Sequence, residues 1–232
     1  MLYLFPTLLA DVNWQKCLPQ YNIDKILSCE CFIVEELRTA RRFLRKIGYK
    51  KNFDEVTFFI LNEHTTDIEM SDFLQPAMMG KDIFVMSEAG LPCVADPGSK
   101  IVLLAHKFNI EVVPMVGPSS IYMSLMASGF NGQNFAFVGY LPVKDMDREK
   151  KLRQIEERCY KENQTQIFIE APYRNDKVFD SIIKTLRNET LLCIASDITD
   201  SKQSIKTLSI AEWKKQKEFT IGKRNTIFLI YK

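Results

Sequence analysis

Short apolar runs alternate with segments of helical periodicity along the first half of the chain. Five mostly apolar runs have the length of a strand: residues 2–5, 31–34, 56–61, 82–86 and 111–115. Four segments between them repeat apolar residues at helical spacing: residues 17–27, 39–47, 67–79 and 100–108. Strands that alternate with helices predict an α/β domain built on a parallel sheet with crossover helices.

The pattern changes after Gly117 and Pro118. Three later segments have helical periodicity: residues 119–128, 146–162 and 176–186. Four later runs are strand-like: residues 135–139, 166–170, 191–195 and 226–231. The break predicts an N-terminal domain of residues 1–117 and a C-terminal domain of residues 118–232.

Composition narrows the class of protein. The chain has 232 residues, of which 26% are charged and 46% hydrophobic, and these values exclude a disordered or fibrous protein. Its 31 basic and 29 acidic residues give a net charge of +2, which excludes a polycation but allows a local basic patch. The first apolar run is short and follows no basic segment, so it predicts a buried strand rather than a signal peptide. Since no apolar run reaches about 18 residues, we expect no membrane span.

The cysteines and histidines do not form a metal-binding pattern. The six cysteines include no CxxC pair, and the chain has only two histidines. A structural zinc site is therefore not expected, and the cysteines are predicted to be reduced, as in a cytoplasmic protein.

Three segments rich in glycine, proline and small residues follow predicted strands. Residues 87–98 read SEAGLPCVADPG, residues 113–120 read VPMVGPSS, and residues 168–174 read FIEAPYR. Small residues let a ligand approach the main chain closely, and loops that follow strands of a parallel sheet are common ligand sites. The plainer alternatives are a structural turn, a helix cap at Ser119 or Ser120, and a surface ion pair between Glu170 and Arg174.

These segments together resemble the motifs of a known family, the bacterial small-subunit ribosomal RNA cytidine 2′-O-methyltransferases. That family belongs to the tetrapyrrole methylase superfamily, the class III S-adenosylmethionine-dependent methyltransferases. SEAGLPCVADPG is similar to SDAGTPxISDPG, VVPMVGPSS to VxPxPGPSA, FVGYLP to EGFLP, and TQIFIEAPYR to TLIFYESPHR. Weaker similarities link LYLFPT to LYxVPTPIGN, EELR to EDTR, and Asn62-Glu63 to HNE. The motifs keep the family's order over nearly the whole chain.

The resemblance implies a two-domain fold, with a mostly parallel sheet in the N-terminal domain and a mixed sheet in the C-terminal domain. It also implies a homodimer that binds S-adenosylmethionine in a cleft between the two domains. Pro6 and Thr7 would face the substrate. The matched positions that would contact the cofactor are Ser87, Glu88, Ala89, Gly90, Leu91, Pro92, Ser119, Ser120, Ala171 and Pro172.

Methyl transfer to a ribose hydroxyl needs alignment of donor and acceptor, and a base or cation near the hydroxyl would help. The candidates in the matched motifs are Glu36, Arg38, Glu63 and Arg174. Each is also explained by a surface or interdomain ion pair. No metal ion is expected to take part.

The departures from the family pattern concern the substrate side most. PTPIGN becomes PTLLAD at residues 6–11, which loses the glycine and the asparagine, while Leu91 replaces threonine and Tyr173 replaces histidine. The leading hypothesis is a methyltransferase that acts on a ribose of small-subunit ribosomal RNA. The alternatives are a methyltransferase for a tetrapyrrole-like or other small metabolite, and a cofactor-binding protein without turnover.

Two basic clusters are candidates for binding RNA phosphate. The first contains Arg41, Arg42, Arg45, Lys46, Lys50 and Lys51, and the second contains Lys214, Lys215, Lys217, Lys223 and Arg224. Solvated helix faces also explain such clusters. Trp213, within the second cluster, either stacks on a base or packs in the core.

Overall fold

A computed structural model describes the complete chain, Met1–Lys232. Its contacts divide the chain into two compact units, Met1–Ser119 and Ser120–Lys232. This division lies two residues beyond the boundary drawn from the sequence. No helix combines the length and the apolar character that crossing a membrane requires.

The first unit is built on a parallel sheet of five strands. The strands are β1 (Leu2–Phe5), β2 (Cys31–Val34), β3 (Thr57–Ile60), β4 (Ile83–Met86) and β5 (Val112–Pro114). The helices are α1 (Gln20–Ser28), α2 (Leu37–Lys46), α3 (Asp67–Phe73), α4 (Gln75–Met78) and α5 (Ser99–Lys107). The strand order is β3-β2-β4-β1-β5, and every pairing is parallel, which confirms the predicted α/β class.

Both faces of this sheet are buried, which explains why its strands are continuous apolar runs rather than alternating ones. Phe5, Phe32 and Phe84 point to one core, and Ile33 and Val85 point to the other. Parallel strands bring their carboxyl ends to one edge. The residues that follow β1, β2, β4 and β5 therefore lie at that edge of the sheet.

The helix predicted over residues 67–79 is two helices. The first, α3, begins with a capping box between Thr66 and Glu69 and ends at Phe73, and α4 then begins at Gln75. Pro76 lies in the first turn of α4, where its missing amide leaves no hydrogen bond unmade. Inside one long helix the same residue would break the hydrogen-bond ladder.

The second unit is built on a mixed sheet, as the resemblance implies. Its strands are β6 (Phe135–Tyr140), β7 (Thr165–Ile169), β8 (Leu191–Ser196), β9 (Ser204–Ser209) and β10 (Thr226–Tyr231), in the order β6-β7-β10-β8-β9. Only β6 and β7 pair in parallel. Its helices are α6 (Ser120–Ser128), α7 (Asp145–Glu162), α8 (Asn175–Thr185) and α9 (Ile210–Trp213).

Strand β9 and helix α9 were not predicted from the sequence. Strand β9 reads SIKTLS and pairs only with β8, so it is an edge strand, in which Ser204 and Lys206 are exposed. The adjoining α9 is one short turn, begun by a capping box between Ser209 and Glu212.

Candidate functional site

The chain segments that follow β1 and β4 are hydrogen-bonded to each other through Thr7. Its backbone amide donates to the Gly90 carbonyl at 2.9 Å, and its hydroxyl donates to the Ser87 carbonyl at 3.1 Å. The Ser87 hydroxyl donates to the Gly90 carbonyl at 2.7 Å, which closes the turn. Thr7 and Ser87 are 4% and 6% exposed. The structure therefore brings Thr7, predicted to face the substrate, against residues predicted to bind the cofactor.

The loop of residues 87–98 has an unusual backbone. Gly90 and Gly98 have φ angles of +81° and +129°, and two residues with side chains, Cys93 and Ala95, have φ angles of +67° and +62°. A Cβ atom added to Gly90 would lie 3.0 Å from the Leu9 Cδ2 atom. Non-glycine residues in this region are uncommon, and such strain concentrates in ligand-binding loops. These observations favour a ligand site over a plain structural turn.

The segment after β5 packs against the segment after β1. Gly117 stands so close to Pro6 that the proline ring occupies the space a side chain would need. The Asn22 side chain on α1 donates to the Val116 carbonyl at 2.7 Å and fixes the same turn. Ser119 is buried at the end of the first unit, and Ser120 begins α6 of the second.

Three carboxyl groups lie near one another at the same edge of the sheet: Glu35 after β2, Glu88 after β4, and Asp96 further along the loop. Burial, followed by the nearby charges of Asp96 and Glu88, raises the pKa of Glu35 to about 7. Burial and the charge of Glu88 raise the pKa of Asp96 to about 6. The backbone amide of Glu88 also donates to the Glu35 carboxylate. These groups do not form a metal-binding cluster.

Sequence reasoning named only Glu88 of this group and missed Glu35 and Asp96. The available signal was that Glu35 comes directly after one buried apolar strand and Glu88 two residues after another. Because β2 and β4 are paired neighbours, the residues that follow them are close in space. That strand order is not readable from the pattern of the sequence.

The predicted catalytic candidates of the first unit have other roles or no partners at the site. Glu36 caps the N-terminus of α2, where its carboxylate accepts hydrogen bonds from the amides of Arg38 and Thr39 at 2.8 and 2.6 Å. The hydrogen bond from the Thr39 hydroxyl and those from the two amides lower the pKa of Glu36. The Glu63 side chain is 84% exposed and contacts only His64, at 3.5 Å. The Arg38 side chain is exposed on α2.

Arg174, the fourth candidate, forms a largely buried ion pair in the second unit. Its guanidinium lies 3.0 Å from the Glu170 carboxylate, with the two side chains 13% and 1% exposed. Arg174 also donates to the Pro142 carbonyl at 3.3 Å, and Glu170 accepts from the Ala171 amide at 2.8 Å. Glu170 and Arg174 do pair, but the prediction that they pair on the surface is wrong, because both side chains are largely buried. The pair joins the FVGYLP and EAPYR motifs and fixes the turn at Ala171 and Pro172.

The comparisons with known proteins agree with the motifs. No family model matches the chain. The chain is 28% identical over 212 residues to "Ribosomal RNA small subunit methyltransferase I" of Vibrio cholerae, covering 91% of this chain and 69% of that protein. It is 32% identical over 171 residues to the protein of the same name from Pasteurella multocida, covering 74% of this chain and 58% of that protein.

A solved structure supports the fold. The crystal structure of the methyltransferase CobJ matches with a TM-score of 0.60 and 14% sequence identity, over 94% of this chain and 89% of that one. An identity this low shows the fold alone. The curated relatives and the motifs thus agree that the chain is similar to the ribosomal RNA small subunit methyltransferases I, and the structural match agrees with a two-domain methyltransferase fold.

Proposed function

We propose that the chain transfers a methyl group from S-adenosylmethionine to a ribose 2′-hydroxyl of small-subunit ribosomal RNA. The observation that supports this proposal most is the loop of residues 87–92, which Thr7 holds by hydrogen bonds. The relatives of the chain are named for methylating that RNA. The chain spans 58% to 74% of the length of these relatives. The activity of those longer proteins is therefore part of the proposal.

The residues of the loop fit a cationic nucleoside such as S-adenosylmethionine. One oxygen of the Asp96 carboxyl is buried without a hydrogen-bond partner, and Glu35 and Glu88 lie nearby, so the loop has a negative potential that suits a sulfonium. The first unit would contribute residues 87–92, in which Ser87, Ala89 and Gly90 are small. Ser119, Ser120, Ala171 and Pro172 stay predictions as further contacts, as does the cleft between the domains.

When bound, S-adenosylmethionine supplies an activated methyl group. The residues of this chain must then align the acceptor and receive the proton of its hydroxyl as the new carbon–oxygen bond forms. Glu35 suits that proton transfer because its pKa of about 7 leaves it partly ionised near neutral pH. Glu36 suits it less, because its carboxylate is occupied in capping α2.

The experiment incubates the purified chain with S-adenosylmethionine labelled at the methyl group and with small ribosomal subunits that lack the modification. We expect label in the RNA, located at a ribose by nuclease digestion. Label in a tetrapyrrole but not in RNA would reject the proposed substrate. Calorimetric binding of the donor without transfer to either acceptor would support a binding protein without turnover.

The remaining expectations are proposals of the same kind. We infer a homodimer, from the family resemblance, and a cytoplasmic location, because ribosomal RNA is the proposed substrate. Sedimentation equilibrium tests the first, and a monomer at micromolar concentration would reject it. Fractionation of cells that express the chain tests the second.

A further inference from the structure

Helix α2 carries a one-sided charge. It has no acidic residue and five basic ones: Arg38, Arg41, Arg42, Arg45 and Lys46. Two of the five are used inside the unit. The Arg41 guanidinium lies 5.3 Å from the ring centres of Phe53 and Phe58. Arg45 lies 4.0 Å from the Phe53 ring centre and donates to the Tyr49 carbonyl. These two arginines therefore have a packing role.

The other three, Arg38, Arg42 and Lys46, form an exposed stripe. They are spaced four residues apart, so they lie along one side of the helix. Arg38 and Arg42 make no salt bridge, whereas Lys46 pairs with Asp11. Like charges at this spacing destabilise a helix. The three side chains repel one another, and only Lys46 has an acidic salt-bridge partner within the chain. We take this as an indication that the stripe binds an anionic partner.

The α2 stripe borders a pocket of about 240 Å³. The pocket reaches Ser87 and Glu88 of the loop of residues 87–92, which we call the donor loop. Its other lining residues include Thr7, Leu8, Thr39, Arg42, Phe43 and Lys46. Its size is below the roughly 300–1,000 Å³ of pockets for drug-sized ligands. An aromatic ring, an aliphatic side chain, hydroxyls and two cations together suit one nucleotide, with its base, ribose and phosphate.

The second basic cluster lacks these features. Trp213 is 1% exposed, and its indole donates to the Leu192 carbonyl at 2.9 Å, so it is a packing anchor and does not stack on a base. Arg224 pairs with Asp197 at 2.6 Å. Lys215 and Lys217 of this cluster are exposed and serve as a matched control.

We propose that the α2 stripe binds the phosphates of a single-stranded RNA segment while the pocket receives one unpaired nucleotide of that segment. The inference rests on the proposed function and assigns its acceptor site. Because the pocket ends at Ser87 and Glu88, it brings the ribose of that nucleotide beside the donor loop. Asp11 and Glu88 also line the pocket, and Asp11 neutralises Lys46, so Arg38 and Arg42 make the main phosphate contacts.

The test measures binding of a short unstructured RNA by fluorescence anisotropy over a range of salt concentrations. Single-stranded RNA loses about 0.7 of the log–log salt slope for each phosphate contact removed. The variant R38Q/R42Q should reduce the slope by about 1.4 and weaken binding, while K215Q/K217Q leaves both unchanged. Asp11→Asn, which frees Lys46, should tighten binding. Equal losses of RNA affinity and salt slope in the two double variants would contradict the proposed role of the α2 stripe in binding RNA.

The pocket is tested separately with Ala10→Leu, which places a larger side chain on its lining. We expect this variant to keep its affinity for S-adenosylmethionine and its thermal midpoint but to lose methyl transfer to RNA. Methyl transfer to RNA at the wild-type rate would contradict the proposal that the pocket receives a nucleotide. An acidic peptide that competes with RNA at equal affinity would instead identify a protein partner.

Failure of the proposed function gives a different result. Wild-type chain that transfers no methyl group to any RNA rejects the proposed function whatever the variants show. An active enzyme whose R38Q/R42Q variant keeps the full salt slope rejects only the inference about α2.

Discussion

A Cβ atom on Gly117 would stand 2.2 Å from the Cγ atom of Pro6, far inside van der Waals contact. The glycine follows β5, at the edge of the first sheet, and the proline follows β1, the strand paired with it. The absence of a side chain at Gly117 thus allows two of the family's motif segments to touch. The same edge carries the loop proposed to bind the methyl donor.

Gly117→Ala should destabilise the chain by about 1–3 kcal/mol, because the new methyl group has no space beside Pro6. Urea unfolding followed by circular dichroism measures the change. Gly132→Ala is the control, since a Cβ atom there meets nothing within 4 Å and no positive φ is involved. Equal stability of the two variants would contradict the close packing.

Gly90→Val should abolish detectable binding of S-adenosylmethionine in calorimetry, because the branched side chain would stand where the ligand must approach the main chain. A left-handed φ also costs a side-chain residue about 1–2 kcal/mol of stability. Gly80→Val separates the two effects, since Gly80 has a φ of +83° and nothing within 4 Å. We expect the two variants to lose similar amounts of stability, but only Gly90→Val to lose donor binding. Donor affinity retained at Gly90 would remove this loop from the site.

Thr7→Val should destabilise the chain by about 1 kcal/mol, because it deletes the hydroxyl that donates to the Ser87 carbonyl without changing the volume much. The donor loop then keeps only the hydrogen bond from the Thr7 amide to the Gly90 carbonyl, and we expect weaker donor binding as well. Thr7→Ser keeps the hydroxyl and serves as the control. A valine variant that matches wild type in both urea unfolding and calorimetry would show that the bond does not hold the loop.

The carboxyl cluster should make stability fall as the pH rises from about 4 to about 7. The pKa values of Glu35 and Asp96 in the folded chain are raised to about 7 and about 6 from ordinary values of 4.5 and 3.8. The folded state therefore binds more protons than the unfolded state in that window, and deprotonation favours unfolding. Both groups are partly exposed, so we expect on the order of 1 kcal/mol from each after solvent screening.

The double variant E35Q/D96N should show a flatter dependence on pH and greater stability than wild type at pH 8. Unfolding free energies from urea titrations at several pH values test this. Parallel curves for the two proteins would show that the pair does not titrate in this window. The single variant Glu35→Gln should also lose the rise in methyl-transfer rate near pH 7 if Glu35 receives the proton.

Much of the first unit could be predicted from the sequence, because buried parallel strands are apolar throughout and glycine and proline mark where they end. The same reasoning found Thr7, Gly90 and Gly117 but could not show that they touch. Glu35 and Asp96 were missed because only the order β3-β2-β4-β1-β5 brings them together. Strand β9 was missed because an edge strand with one bonded neighbour needs little apolar character.

The position of β1 has a consequence for how the chain is made. This strand is synthesised well before its partners β4 and β5, which end at Met86 and Pro114. The segment up to Pro114 must leave the ribosome before Leu2–Phe5 can take its place in the sheet. Until then the apolar segment Leu2–Phe5 stays unpaired, and nascent chains that stall short of β5 should be those that chaperones bind most strongly.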